Sequence, residues 1–140
     1  INNKFASMIS WPFSKYWLKL ILGKTMKHNP RNDLNKKYWT MSYPTTALIP
    51  MAKLVNEVND KDYSKVDKPA LFYFSMDDKV VDPKKTKNFI SNWGGKSTTK
   101  IVKLSNQDDK FSHVLAGDII SPNQTEYAKN IMVNWIKNLR

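Results

Sequence analysis

One stretch near the middle of the chain constrains the fold most. Residues 69–75 form a short, continuous apolar run that is followed by polar turn residues. A run of this length is typical of a strand buried on both faces of a parallel sheet, where apolar and polar residues no longer alternate. A second run, at residues 99–104, predicts a neighbouring strand. Its two Lys residues favour a position near the edge of the sheet.

A helix is predicted between these two strands. Asp82 is a typical N-cap and Pro83 suits the first helical position, while Phe89, Ile90 and Trp93 supply an apolar face. We expect Gly94-Gly95 to end this helix as a left-handed C-cap. Two strands joined through a helix should be parallel, with a right-handed crossover.

The C-terminal end predicts a loop over residues 105–120 and then an amphipathic helix. Ser121 resembles an N-cap, with Pro122 at the first helical position. Apolar residues recur at helical spacing through Tyr127, Ala128, Ile131, Met132, Trp135, Ile136 and Leu139. The order is therefore β-α-β-loop-α, which indicates an α/β fold.

The first half of the chain, residues 1–68, is predicted to be mainly helical, without a convincing strand. One helix is expected over residues 11–22, and another is capped by Thr45 or Thr46. We therefore divide the chain into segments 1–68 and 69–140. Because two parallel strands do not form a stable sheet alone, further strands are expected upstream of residue 1.

Acidic and basic side chains follow the two predicted strands. Asp77 and Asp78 come directly after residues 69–75, and His113 lies in the loop after residues 99–104. Taken singly, an acid here is a turn residue and a loop histidine is a surface residue. Together they match the Asp…His half of a triad whose chain order is Ser…Asp…His, at the sheet edge where ligands bind.

Residues 69–83 (PALFYFSMDDKVVDP) and Ser112-His113-Val114 carry a family resemblance. They resemble the C-terminal end of the α/β-hydrolase fold, in its bacterial esterase and lysophospholipase-like (serine-aminopeptidase-like) branch. The resemblance implies that Asp78, rather than Asp77, is the triad acid, that His113 is the triad histidine, and that no cofactor or metal takes part. Residues 1–68 would then be a cap, or lid, over the hydrolase core.

The family's nucleophile elbow, G-x-S-x-G, is absent from this sequence, because none of the four glycines frames a serine. We therefore expect a fragment of a serine hydrolase that cleaves acyl esters: a proteolytic product, a split gene or the ordered part of a larger molecule. The isolated chain should be inactive. Its expected partners are an acyl-ester or lipid substrate and either the missing N-terminal half of the fold or a second copy of itself.

Other titratable residues have simpler interpretations. Asp82 is expected to act as a helix cap and His28 to be exposed. Asp108 and Asp109 are predicted loop acids that would favour the charged form of a neighbouring His113. Their spacing matches no specific metal site.

The formal charge of +11 keeps a rival open. The chain would then be a non-catalytic basic domain that binds anionic membrane or nucleic acid. Because the Lys residues are scattered, we predict a solvated surface, with no nucleic acid and a membrane surface as a minor partner. A third reading is a hydrolase-like chain that has lost catalysis.

Four aromatic residues near the N-terminus leave three roles open: packing of a cap helix, lining of an acyl pocket and contact with lipid. They are Trp11, Phe13, Tyr16 and Trp17. The sequence has no cysteine, no signal-peptide pattern and no apolar run of the roughly 18 residues expected of a membrane-spanning helix. These features predict a cytoplasmic location.

Overall fold

A computed structural model describes residues 13–139, apart from the side chain of Lys15. The chain is mixed α/β, and it divides into two compact units that contain residues 13–61 and 62–139 respectively. Trp11 lies outside the described residues. Among the helices of the described part, none is long and apolar enough to cross a membrane.

The first unit combines helices with a short antiparallel strand pair. Its elements are α1 (Ser14–Leu22), β1 (Thr25–Lys27), α2 (Asp33–Tyr38), β2 (Ser42–Pro44), a 3-10 turn (Thr45–Ala47) and α3 (Leu48–Asn59). The expectation that this segment lacks strands was wrong. β1 pairs antiparallel with β2, from Thr25 opposite Pro44 to Lys27 opposite Ser42. Strands of three residues are too short for their alternation to stand out in a sequence.

The start of α3 also differs from the prediction. Thr45 is fully buried, but its hydroxyl donates a hydrogen bond to the carbonyl oxygen of Gly23 at 2.7 Å instead of capping the helix. The 3-10 turn leads into α3 without a side-chain cap. Pro50 lies in the first turn of α3, where the missing N–H costs no helical hydrogen bond.

The second unit has the predicted β-α-β-loop-α order. It contains β3 (Ala70–Ser75), α4 (Pro83–Ser91), β4 (Ser97–Val102), a 3-10 turn (Pro122–Gln124) and α5 (Thr125–Lys137). β3 and β4 are parallel, from Ala70 opposite Ser97 to Ser75 opposite Val102. β4 therefore begins and ends two residues before the predicted range of 99–104.

β3 is not buried on both faces, contrary to its apolar sequence. Phe74 and Ser75 are buried, whereas residues 70–73 are half-buried. Within the described residues, β4 is the one strand hydrogen-bonded to β3, so the other edge of β3 has no backbone partner there. Burial increases along β3 toward its carboxyl end, where the candidate site lies.

The helix between the strands begins as predicted and ends differently. The Asp82 carboxylate accepts a hydrogen bond from the backbone N–H of Lys84 at 2.9 Å, which confirms the N-cap. α4 stops at Ser91, and Gly94 and Gly95 do not adopt a positive φ. The predicted left-handed C-cap is therefore wrong.

Close packing explains these two glycines. A Cβ atom at Gly94 would overlap the carbonyl oxygen of Ser64, and one at Gly95 would overlap the carbonyl oxygen of Lys68. The preceding chain thus lies directly against the glycine backbone. Glycine is required here by space, not by its conformational freedom.

Residues 62–68 belong to the second unit through an aromatic cluster. The ring of Tyr63 lies edge-on to Phe89, with centroids 4.6 Å apart, and stacks on Trp93 at 6.0 Å. Trp93 donates its indole N–H to the carbonyl oxygen of Lys68 at 3.0 Å. The role of residues 1–68 as a cap stays a prediction.

The amphipathic C-terminal helix is confirmed as α5, but Ser121 does not cap it. The Ser121 hydroxyl is fully buried, donates to the carbonyl oxygen of Val114 and accepts from the backbone N–H of Asp109 at 3.1 Å. It therefore fastens the preceding loop to the start of the helix. α5 buries Ala128.

Candidate active site

Asp78 and His113 meet at the carboxyl ends of the two parallel strands. Oδ2 of Asp78 lies 2.9 Å from Nδ1 of His113, within hydrogen-bond distance. The two residues are 35 positions apart in the chain. Asp78 is the third residue after the end of β3, and His113 lies in the loop that follows β4. The parallel pairing thus brings together two residues that sequence distance separates.

The turn after β3 orients the Asp78 carboxylate. Its other oxygen, Oδ1, accepts hydrogen bonds from the backbone N–H groups of Val80 at 2.7 Å and Val81 at 2.9 Å. Ser75, fully buried at the end of β3, accepts a hydrogen bond from the backbone N–H of Asp77 at 3.2 Å. One carboxylate oxygen is thus held by the turn while the other points to the imidazole.

The environment of Asp78 favours its ionised form. Partial burial on its own raises the pKa of this carboxyl, but hydrogen bonds from His113, Val81 and Val80 stabilise the carboxylate more strongly. The pKa of Asp78 is therefore below its ordinary value. A negative charge at this position stabilises a positive charge on the neighbouring imidazole.

Asp109 organises the loop that carries His113. Its buried carboxylate accepts hydrogen bonds from the backbone N–H groups of Phe111 at 3.0 Å, His113 at 3.0 Å and Val114 at 2.8 Å. Ser112 adopts a left-handed conformation, with φ 51°, and donates its N–H to the carbonyl oxygen of Asp109 at 2.8 Å. This tight turn presents the His113 side chain at the surface.

The two loops of the site are joined directly. The backbone N–H of Lys79 donates to the carbonyl oxygen of Phe111 at 2.9 Å, and its ammonium group donates to the carbonyl oxygen of Lys110 at 3.2 Å. Lys79 directly follows Asp78, and both of its acceptors lie within three residues of His113. The acid and the histidine are therefore held together by backbone as well as by their side chains.

Asp108 and Asp109 are loop acids, as the sequence predicts, but they are not exposed. Both are buried, and each binds its own loop. Asp108 accepts hydrogen bonds from the hydroxyl of Ser105 at 2.6 Å and from its backbone N–H at 3.2 Å. The contacts of Asp109 with His113 involve the histidine backbone, so its role here is to shape the loop.

Within residues 13–139, the side chains of the other sequence candidates, Asp77 and His28, make no hydrogen bond to this pair. Asp77 is exposed, and its carboxylate makes no hydrogen bond to residues 13–139. His28 is exposed as predicted, stacks on Tyr43 and lies 3.2 Å from its hydroxyl. Across the described ranges, no group of three or more His, Cys, Asp or Glu residues is arranged to hold a metal ion.

The imidazole of His113 has one committed and one available nitrogen. Nδ1 bonds to Asp78, whereas Nε2 makes no hydrogen bond to any part of the chain that the structure describes. The His113 side chain is 42% exposed and that of Asp78 is 13% exposed. An imidazole oriented by a shielded carboxylate, with its second nitrogen accessible, has the geometry of a general base.

A cavity of about 280 Å³ lies elsewhere on the sheet. It is lined by residues at the amino ends of β3 and β4, including Pro69 and Thr98, and by the end of α5. Asp78 and His113 follow the opposite, carboxyl ends of these strands. The cavity is therefore not a binding pocket for chemistry at the pair.

Sequence reasoning missed the residues that hold the site in shape: Asp109, Ser121 and Lys79. A signal for Asp109 was available, because an Asp that accepts from the N–H two residues later is a common turn device. No local sequence pattern predicts the role of Ser121, because its hydrogen-bond partners lie seven and twelve residues away.

Comparison with known proteins adds no family assignment. No protein-family model, no curated protein and no solved structure matches this chain.

Proposed function

We propose that this chain supplies the acid and the histidine of a Ser-His-Asp triad in a serine hydrolase of acyl esters, of the carboxylesterase or lysophospholipase type. The nucleophile would come from a segment outside these 140 residues. The observation that carries the proposal is the 2.9 Å hydrogen bond between Asp78 Oδ2 and His113 Nδ1 at the carboxyl ends of adjacent parallel strands.

The geometry supports a division of labour within the pair. Asp78 would keep the proton of His113 on Nδ1 and stabilise the imidazolium as it forms. Nε2 would take the proton of a serine hydroxyl while the serine oxygen bonds to the acyl carbon. The same proton would pass to the departing alkoxide, and a water molecule would release the acid by the reverse sequence.

Three features of the site support this reading over a surface ion pair. Asp78 is largely shielded from water, its second oxygen is held by two backbone N–H groups, and the His113 loop is shaped by a buried carboxylate. A surface ion pair requires no such support. The sequence resemblance of residues 69–83 to α/β-hydrolases points to the same chemistry.

The proposal is tested by labelling with a fluorophosphonate probe, which reacts with activated serines. A polypeptide or complex that includes residues 1–140 together with the nucleophile should be labelled, as intact mass spectrometry would show. His113→Asn and Asp78→Asn should each slow labelling by about 10³-fold or more. Asp77→Asn and His28→Asn serve as matched controls and should label like the wild type.

Three outcomes would contradict the proposal. Labelling of a serine within residues 1–140 would mean that the nucleophile is misplaced. Labelling that is equally fast in His113→Asn and His28→Asn would mean that the pair plays no part in activating the serine. A larger species that contains these residues but takes no label would indicate a hydrolase-like chain without catalysis.

A further inference from the structure

Helix α1 exposes apolar side chains in one continuous arc. Trp17, Leu20 and Ile21 follow i, i+3, i+4 spacing and therefore lie on one side of the helix, and Phe13 directly precedes it. Leu20 is 89% exposed, Phe13 75% and Ile21 69%, while Trp17 is half-buried. The buried residues Ser14 and Leu18 lie on the adjoining side of the helix.

This arrangement is not the normal one for a packed cap helix. α1 contacts β1 and the Thr45–Ala47 turn, and the buried Leu18 serves that packing. The exposed arc is thus additional to the side that packs against the unit. Several large apolar residues in one exposed patch mark a surface that binds something.

The charge of the sequence that contains α1 indicates what binds. Residues 1–32 contain six Lys and Arg and no Asp or Glu, although the whole chain has 12 acidic residues. Lys19 lies on α1, one residue before Leu20, and Lys24 follows the helix; both are exposed. A short helix with an apolar face flanked by Lys is the pattern of an interfacial membrane helix.

We infer that α1 docks this protein on an anionic membrane surface. Phe13, Leu20 and Ile21 enter the boundary between headgroups and acyl chains, and Lys19 and Lys24 contact lipid phosphates. Two copies of this segment would repel each other through their uncompensated positive charge, which argues against self-association through α1. Exposed aliphatic side chains such as Leu20 have no role on a nucleic-acid backbone, which argues against that partner. The inference is independent of the triad.

The test is co-sedimentation of the 140-residue chain with vesicles of phosphatidylcholine alone or of equal parts phosphatidylcholine and phosphatidylglycerol. Binding should be strong only to the anionic vesicles and should weaken as salt is added. Leu20→Asn should lower the affinity roughly tenfold, because its side chain leaves water on binding. Lys24→Gln should lower it about fivefold.

Leu54→Asn is the matched control, since Leu54 is an exposed leucine on α3 of the same unit. It should leave vesicle affinity unchanged within about twofold, and circular dichroism should show both variants folded. Equal losses for Leu20→Asn and Leu54→Asn, or equal binding to neutral and anionic vesicles, would overturn the inference. A dimer that Leu20→Asn dissociates would overturn it too, because the arc would then bind a second copy.

Discussion

The buried carboxylate of Asp109 accepts a hydrogen bond from the backbone N–H of His113 at 3.0 Å. The same oxygen accepts from Val114 at 2.8 Å. A side chain four residues earlier thus sets the direction in which the loop carries the imidazole toward Asp78. The catalytic geometry proposed above depends on this buried group, which would not itself touch a substrate.

Replacing Asp109 tests that dependence. Asp109→Ala leaves the N–H groups of His113 and Val114 without their acceptor and should lower the free energy of unfolding by about 3 kcal/mol. Urea unfolding followed by circular dichroism measures this loss. Asp77→Ala removes an exposed carboxylate from the neighbouring turn and should change stability by less than about 0.5 kcal/mol. Equal stability of the two variants would show that the Asp109 contacts are dispensable.

Much of the second unit could be predicted because its signals are local. Asp82 and Pro83 mark the start of α4 through cap chemistry that involves adjacent residues. The periodicity of α5 extends over more than three turns, so it stands out from chance. Asp78 and His113 could be placed together because parallel strands bring their carboxyl ends to one edge.

The predictions that failed concern contacts between residues far apart in the sequence, or elements of very few residues. The Gly94-Gly95 pair looked like a C-cap, but the carbonyl groups of Ser64 and Lys68, about 30 residues away, decide its role. The strands β1 and β2 have three residues each, too few for periodicity. For Asp109 the sequence predicts only a loop acid, because charge alone does not identify its backbone partners.

The lowered pKa of Asp78 predicts a specific loss of stability in acid. Its pKa is lower in the folded than in the unfolded chain, so the unfolded state binds more protons as the pH falls. The stabilisation from Asp78 is therefore complete above the ordinary carboxyl pKa of about 3.9 and is lost as the pH falls through the folded value. Urea midpoints between about pH 6 and pH 3 should fall less for Asp78→Asn than for the wild type. Asp77→Asn should follow the wild-type curve; parallel curves for wild type and Asp78→Asn would refute the linkage.

The hydrogen bond to Asp78 should also select the tautomer of His113. At about pH 8.5, where an ordinary imidazole is neutral, the proton should be on Nδ1, since a carboxylate can only accept. Long-range ¹H–¹⁵N NMR spectra distinguish the two ring nitrogens. In Asp78→Asn the amide can donate instead, so the fraction with the proton on Nε2 should rise. His28, whose ring faces the hydroxyl of Tyr43, provides an internal control and should not change.

Gly94 offers a test of the packing that holds the second unit together. The Cβ of Gly94→Ala would overlap the backbone carbonyl oxygen of Ser64, and backbone cannot move aside as a flexible side chain does. We expect a loss of roughly 2–3 kcal/mol in the free energy of unfolding. Lys87→Ala, on the exposed surface of α4, is the control and should cost less than about 0.5 kcal/mol.

Gly117→Ala separates crowding from backbone strain. Gly117 has φ 115° and open space around its Cα, so an alanine there is strained without any overlap. Its cost should be about 1–2 kcal/mol and should come from the backbone alone.

A Gly94→Ala variant as stable as the wild type would mean that residues 62–68 do not lie against the glycine pair. Trp93→Phe loses the indole N–H bond to the carbonyl oxygen of Lys68 and should also lower the free energy of unfolding. Losses in both variants would support the packing of residues 62–68 against the glycine pair.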